Sequence, residues 1–440
     1  RGPQAAAPPH RGAQMRVLFV SYAEKTHFIG LVPLAWAMRA AGHDVRVAGQ
    51  PELAPFVAGT GLPYAPVGTD HRLREWVEWA ARWDPEPTGG LFDVGDRWPE
   101  ELPWKRLLLG MEESVEYWWN VINEPMLDDL VDLCDRWRPD LVVWETTTYA
   151  AGIAAEACGA AHARYLWSLD MFGRMRAQFL RTMAAQPEAD RADPLRDWLA
   201  DRAARHGVAF SESLVDGDAA VDQLPDALRI DPGPAVRRLP VRYVPYNGRA
   251  VVPEWLRRPA DRPRICLTMG TSATEWYGGY AVSMAGVLDG LADLDAEVVA
   301  TLPVEQQQRL GTVPGNVRLV DYVPLHALAP TCAAMVNHGG PGTVCTGLAA
   351  GVPQLILAVA DLDAPLLARN VAEAGAGITL SPEQTTTASV TGAVARLLGD
   401  PAFAAGADRV RAQMAAMPAP AGITADLAAL AARRAELRAA

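Results

Sequence analysis

The sequence predicts an α/β fold, with two doubly wound parallel-sheet domains of similar size facing a cleft. Three observations carry this. The chain has 440 residues, more than one hydrophobic core usually holds. Short apolar runs alternate with helix-like patterns in two separate series. Within each run the apolar residues are continuous, as expected for strands covered by helices on both faces of a parallel sheet.

The first series opens with a strand from Arg16 to Ser21. A helix pattern from Leu31 to Ala41 follows and stops at Gly42. Val45 to Ala48 is the next strand. DLVVW at 140–144 is another, followed by a small-residue helix through Ala157 and a strand from His162 to Leu166. The second series starts at Arg264 with RICLTMG. A helix at 280–292, strands at 296–301 and 316–320, a short helix near Leu325 and a strand at 333–337 come next. A helix from Gly342, a strand at 353–357, a helix from Ala364, a strand at 376–380 and a helix after Thr387 complete it. The Pro- and Arg-rich stretch 231–263 is the expected linker between an N-terminal domain (15–230) and a C-terminal domain (264–419). Residues 420–440 are a candidate helix for packing back on the first domain. Residues 1–14 read as a disordered leader or expression remnant, with Met15 as the start.

Composition excludes several classes. No run of eighteen apolar residues suggests a transmembrane helix. The formal charge of −12 argues against a nucleic-acid partner. The five cysteines are scattered, with no C-x-x-C pair, which points to a reducing cytoplasm with neither a disulfide framework nor a zinc site. Residues 70–135 interrupt the first series and hold seven of the fourteen tryptophans. Trp76 and Trp79, together with Trp83, are at helical spacing. Trp118 lies further along the insert, and Trp144 ends the DLVVW strand. Core packing is one reading of the insert. An apolar acceptor pocket, with Trp76, Trp79, Trp118 and Trp144 as candidates, or a protein-docking surface is the other.

The most informative stretch is NHGGPGTVCTGLAAGVPQ at 337–354. A strand ends at His338, a turn of Gly339, Gly340, Pro341 and Gly342 follows, and a helix begins. Ligands of open parallel sheets sit beyond the carboxyl ends of strands. Glycine lets a ligand approach the backbone, and a helix start offers free N–H groups and a positive dipole end. The loop has no Lys or Arg, so a diphosphate would be held by backbone N–H groups, the Thr343 hydroxyl and His338. On the loop alone, a glycine-closed helix start with a surface histidine fits equally well. Gly270-Thr271-Ser272, at the end of RICLTMG, could face the same phosphates, and Asp321-Tyr322-Val323-Pro324 offers backbone to a base. The loop lacks a Walker lysine, and SYAEKTHFIG after the first strand has no G-x-G-x-x-G, which disfavours a P-loop protein and a dinucleotide-dependent dehydrogenase.

HGGPGT, GVPQL and DAPLLARNVAEAGAG together resemble the nucleotide-sugar signature of GT-B glycosyltransferases. THFIGLVPLAWAMRAAGHDV resembles their acceptor-side motif, and VPL after strand 316–320 their base-binding loop. LVPLAWAMRAAGHDVRVA and WRPDLVVWETTTYAAGIAAEACGAAHAR are most similar to actinobacterial transferases that attach deoxysugars to macrolides and anthracyclines. The resemblance covers nearly the whole chain from Met15. It implies two Rossmann-like domains and an inverting transfer from a dTDP-sugar co-substrate to a hydrophobic polyketide-type aglycone.

His27 matches the family's general base; an imidazole can take a hydroxyl proton near neutral pH. Glu145 is the candidate carboxylate orienting it. Asp361-Leu362-Asp363 looks like a metal-binding D-x-D, but Asp216-Gly-Asp218 and Asp293-Leu-Asp295 show the spacing arising by chance. The resemblance makes Asp361 and Asp363 sugar-binding residues, and no metal or other cofactor is predicted. Ala364 stands where the family often has Gln, which fits a deoxysugar with fewer hydroxyls to bind. Some relatives also need an auxiliary protein resembling a haem-less monooxygenase, and the Trp-rich insert is its expected docking place. A homodimer is a further expectation; no nucleic acid or membrane partner is. A nucleotide-sugar epimerase of the same architecture and a non-catalytic sugar-nucleotide-binding accessory protein are the competing readings.

Overall fold

The computed structural model describes residues 14–83, 99–231, 237–270, 274, 276, 279–358 and 362–439, with only the backbone at 79–83 and 99. The first sheet has strands β1 (Arg16–Val20), β2 (Asp44–Gly49), β3 (Tyr64–Pro66), β4 (Leu141–Glu145), β5 (Ala161–Leu166), β6 (Ala219–Asp222) and β7 (Arg238–Pro240). Their spatial order is β3-β2-β1-β4-β5-β6-β7, all parallel. The second sheet has β8 (Arg264–Thr268), β9 (Glu297–Thr301), β10 (Val317–Val320), β11 (Ala334–Asn337), β12 (Gln354–Leu357) and β13 (Gly377–Leu380). Its order is β10-β9-β8-β11-β12-β13, again all parallel.

The continuous apolar strands are buried on both faces, as their composition requires. In β1, Val17 and Phe19 point into one core with the C-terminal helix, while Leu18 and Val20 point into the other with the insert helices. Strand periodicity thus assigns neighbouring residues to separate cores. The second of these cores continues across the cleft. Leu224 and Leu228 of the first domain share it with Val344, Leu348, Leu366 and Leu367 of the second. The domains are therefore joined by an apolar seam as well as by the chain.

Helix boundaries follow local chemistry. The helix expected at 280–292 starts at Met284 because the Ser283 hydroxyl caps it, accepting from Gly286 N–H at 3.2 Å. The helix expected from Leu31 runs Val32–Ala40 with Pro33 in its first turn and Gly42 at φ +97° beyond its end. The stretch 231–263 is more than a linker: its residues Arg238–Pro240 add β7 to the first sheet. That corrects the expected boundary at 230.

The chain crosses between the domains a second time near its end. After Pro401–Ala416 it turns through Met417 to Ile423 into the helix Thr424–Ala439. Pro401–Ala439 is long and apolar enough to resemble a membrane span, but that turn divides it. The last helix packs on the first domain through Leu427, Leu430 and Ala431. Arg434 pairs with Glu156, and Arg438 donates to Cys158 O at 2.9 Å. Glu156, His162 and Asp218 approach each other with metal-like spacing, and Arg434 already supplies positive charge there. The two crossings lie side by side: Arg242 N–H donates to Pro418 O at 2.7 Å.

Candidate active site

Each sheet has one place where the connections reverse direction, between β1 and β4 in the first and between β8 and β11 in the second. Strand ends splay apart there and leave room for a ligand. Both sets of sequence candidates fall at these two places. Val20 of β1 pairs with Trp144 of β4, so the next residue, Glu145, stands at the strand mouth beside the loop carrying His27. Thr268 of β8 pairs with Asn337 of β11, which sets Gly270 against His338.

At the first switch point His27 Nδ1 lies 3.0 Å from Glu145 Oε1. His27 belongs to the short helix Lys25–Phe28, which Glu24 caps by accepting from Thr26 N–H. Glu145 is fully buried and accepts three further groups: the Trp167 indole N–H at 3.0 Å, Thr148 Oγ1 at 2.8 Å, and Thr147 through both backbone and hydroxyl. Burial raises its carboxyl pKa, but His27, Thr148 and Thr147 more than offset that, and the net value lies below the usual one. An ionised carboxylate only accepts, so Nδ1 donates a proton to it and Nε2 is the nitrogen left for proton transfer. Tyr22 meets the imidazole edge-on, and the Trp167 ring lies 4.6 Å away.

At the second switch point the His338 imidazole lies between two glycines. A Cβ at Gly270 would come within 2.6 Å of the ring, and one at Gly340 would also collide with it. Gly270 has φ +65°, which only glycine adopts freely. Burial pushes the His338 pKa down to about 4, against a smaller opposing effect of the Thr268 backbone. The ring is therefore neutral near pH 7, with one N–H to offer. The helix Pro341–Ala349 begins beside it with no side-chain cap, Pro at its first position and Thr343 in its first turn. Tyr243 of the interdomain crossing steadies this helix, its hydroxyl 2.9 Å from both Gly342 O and Thr346 Oγ1.

Asp363 lies at the seam. It is buried and accepts Leu169 N–H of the first domain at 2.9 Å. Burial raises its pKa to about 6, and hydrogen bonds from the Ser168 and Leu169 side limit the rise. A small cleft here is lined by Trp167, Leu169, Met171, Phe172, Leu362 and Asp363. Leu362 adopts φ +47°, strained for a branched side chain, and turns the chain so that Asp363 faces the first domain. Tyr322 is half exposed, its hydroxyl donating to Asn247 O at 2.6 Å, and the Val323 side chain is buried, so this loop offers a base its backbone.

Other candidates fare differently. Trp144 does not line a pocket. It is fully buried and stacks on His162, because at this register its side chain points into the core, away from the strand mouth. Trp118 is part-buried against Phe172, and Trp76 stacks on Tyr117 at 4.7 Å. The Trp79 side chain, Thr271, Ser272 and Asp361 lie outside the described residues, as does the leader through residue 13. Trp167, Phe172 and Glu24 were not singled out from the sequence. The rule that places ligands at strand ends would have found Trp167, which directly follows β5.

Two facing parallel-sheet domains, with a histidine–carboxylate pair at one switch point and a glycine turn at the other, define a GT-B glycosyltransferase. Known proteins narrow the class. The N-terminal domain of the erythromycin biosynthesis protein CIII-like family matches residues 36–270, and its C-terminal domain matches 285–430. The chain belongs to this family of glycosyltransferases. It is 46% identical over 422 residues to 10-deoxymethynolide desosaminyltransferase of Streptomyces venezuelae, covering 95% of this chain and 98% of that one. It is 41% identical over 430 residues to the TDP-daunosamine transferase of Streptomyces peucetius, covering 95% and 97%. The solved glycosyltransferase VinC in complex with dTDP superposes with a TM-score of 0.85 at 38% identity, covering 95% of this chain and all of the other.

Proposed function

We propose that this enzyme moves a deoxysugar from a dTDP donor to a hydroxyl of a polyketide-type aglycone in antibiotic biosynthesis, with inversion at the anomeric carbon. The observation that carries the reading is the 3.0 Å His27–Glu145 pair at the switch point of the first sheet. His27 Nε2 takes the proton of the acceptor hydroxyl while Glu145 holds the opposite nitrogen and stabilises the imidazolium. The acceptor oxygen attacks the anomeric carbon, and the bond from that carbon to the diphosphate oxygen breaks on the opposite face. The departing charge falls on the helix start, at the Gly342 N–H and the Thr343 hydroxyl, with the neutral His338 N–H beside them. Asp363 accepts a sugar hydroxyl, and Trp167 and Phe172 offer the apolar aglycone an aromatic edge beside it. Because backbone dipoles serve the diphosphate, no divalent metal is used. The relatives' names support the deoxysugar and polyketide assignments.

The test is product analysis of the purified protein with dTDP-deoxysugars and macrolactone or anthracycline aglycones in EDTA. A new glycoside of inverted anomeric configuration supports the reading; an isomerised nucleotide sugar would instead make the protein an epimerase. The same assay extends to a haem-less monooxygenase-like auxiliary docking on the insert, where Leu109 and Tyr117 are exposed. Full turnover without such a protein ends that part of the proposal.

A further inference from the structure

Glu24, a residue of the first domain, has two tasks. Its Oε1 accepts from Thr26 N–H at 3.1 Å and Thr26 Oγ1 at 2.8 Å, which caps the helix carrying His27. Its Oε2 accepts from the indole N–H of Trp276 at 3.3 Å. Trp276 belongs to the second domain and follows β8 and the Gly270 turn. The other side of its ring faces Arg74 of the insert helix Leu73–Trp83, with the guanidinium carbon 5.4 Å from the ring centre. That helix is tied to the same loop. His71 accepts Leu73 N–H at Nδ1, and its Nε2 lies 3.4 Å from Ala23 O. One indole therefore touches the His27 cap and the aromatic insert from across the cleft.

We infer that Trp276 is a positioning residue for the transfer reaction, coupling closure of the donor domain to the orientation of His27 through Glu24. The inference rests on the proposed transfer. Glu24 is buried, so the second acceptor oxygen of this carboxylate is best satisfied when the two domains are together. When they part, Glu24 loses the indole N–H and the His27 helix loses part of what fixes its start. Base catalysis is then confined to the closed, water-poor state, and an open enzyme holding its donor is kept from activating water.

Trp276→Phe keeps a ring for Arg74 and removes the N–H. In it, kcat should fall about tenfold, while calorimetric dTDP affinity stays within about twofold. Glu24→Gln keeps one carbonyl oxygen for the Thr26 cap and gives up the acceptor for the indole, so combined with Trp276→Phe it should lose little more than Glu24→Gln alone. Additive losses, an unchanged kcat, or a dTDP affinity that falls in step with kcat would each overturn the inference. NMR chemical shifts of the His27 ring in substrate-free protein test the coupling apart from the reaction. The ring signals should move in Trp276→Phe, and unmoved signals count against it. If the wild type makes no glycoside at all, the functional reading fails, and the ring signals still decide the coupling.

Discussion

The two switch points each hold a histidine, and their surroundings make opposite reagents of them. His27 lies beside a buried carboxylate that several side chains keep ionised. His338 lies between two glycines, and burial keeps it neutral. One imidazole is placed to receive a proton, the other to lend an N–H without bringing a charge. The lesson is that topology chooses the place while the neighbours choose the chemistry: strand ends bring both rings to the cleft, and one carboxylate or its absence decides their roles.

The sharpest way to break the comparison is His27→Ala. Transfer should fall about 10²–10⁴-fold with dTDP binding retained in calorimetry. Equal loss from His338→Ala, with donor binding intact, would erase the distinction. Next is Gly340→Ala, which drives a methyl into the His338 ring. Affinity for dTDP should weaken about ten- to a hundredfold, or roughly 1.4–2.8 kcal/mol, with the His27 side unaffected. A smaller effect tests the neutral state of His338. Its folded pKa of about 4 lies below the unfolded value, so the stability it contributes is present above pH ~6.5 and is lost as pH falls through 4. The gap in melting temperature between wild type and His338→Asn should change over that window and be flat above it. The smallest effect is at Asp363, where burial raises the carboxyl pKa to about 6 and the ionised form costs stability above that pH. Asp363→Asn should melt about 2–4 °C higher at pH 8, lose that gain progressively as pH falls from about 6 to about 4, and transfer sugar more slowly.

Much of this was legible in the chain because the informative residues are local. HGGPGT announces a strand end, a turn and a helix start within a few residues. The continuous apolar runs left only a parallel sheet as a sensible home. The His27–Glu145 pair joins residues 118 positions apart; only the strand-end rule, with the family resemblance, links them. What stayed hidden was directional. A strand buried on both faces gives no signal of which side chain turns inward, so Trp144 looked available when its register sends it into the core. β7 is three residues ending in proline, too short for any periodicity. Trp276 and Glu24 meet only after the domains come together, which no local pattern records.

The two interdomain crossings, tied by Arg242 to Pro418, have a mechanical meaning. Two covalent straps far apart would lock one body onto the other. Two straps at one spot act as a door hinge: they fix the pivot and leave the angle free. Tyr243, next to that pivot, holds the helix that starts at the glycine turn. The diphosphate site therefore sits near the axis, where rotation displaces atoms least. Groups farther from the axis, as a hinge requires, travel more for the same angle. Truncation before Pro420 would remove one leaf of the hinge together with the helix that covers Val17 and Phe19, and should both loosen the swing and destabilise the first domain.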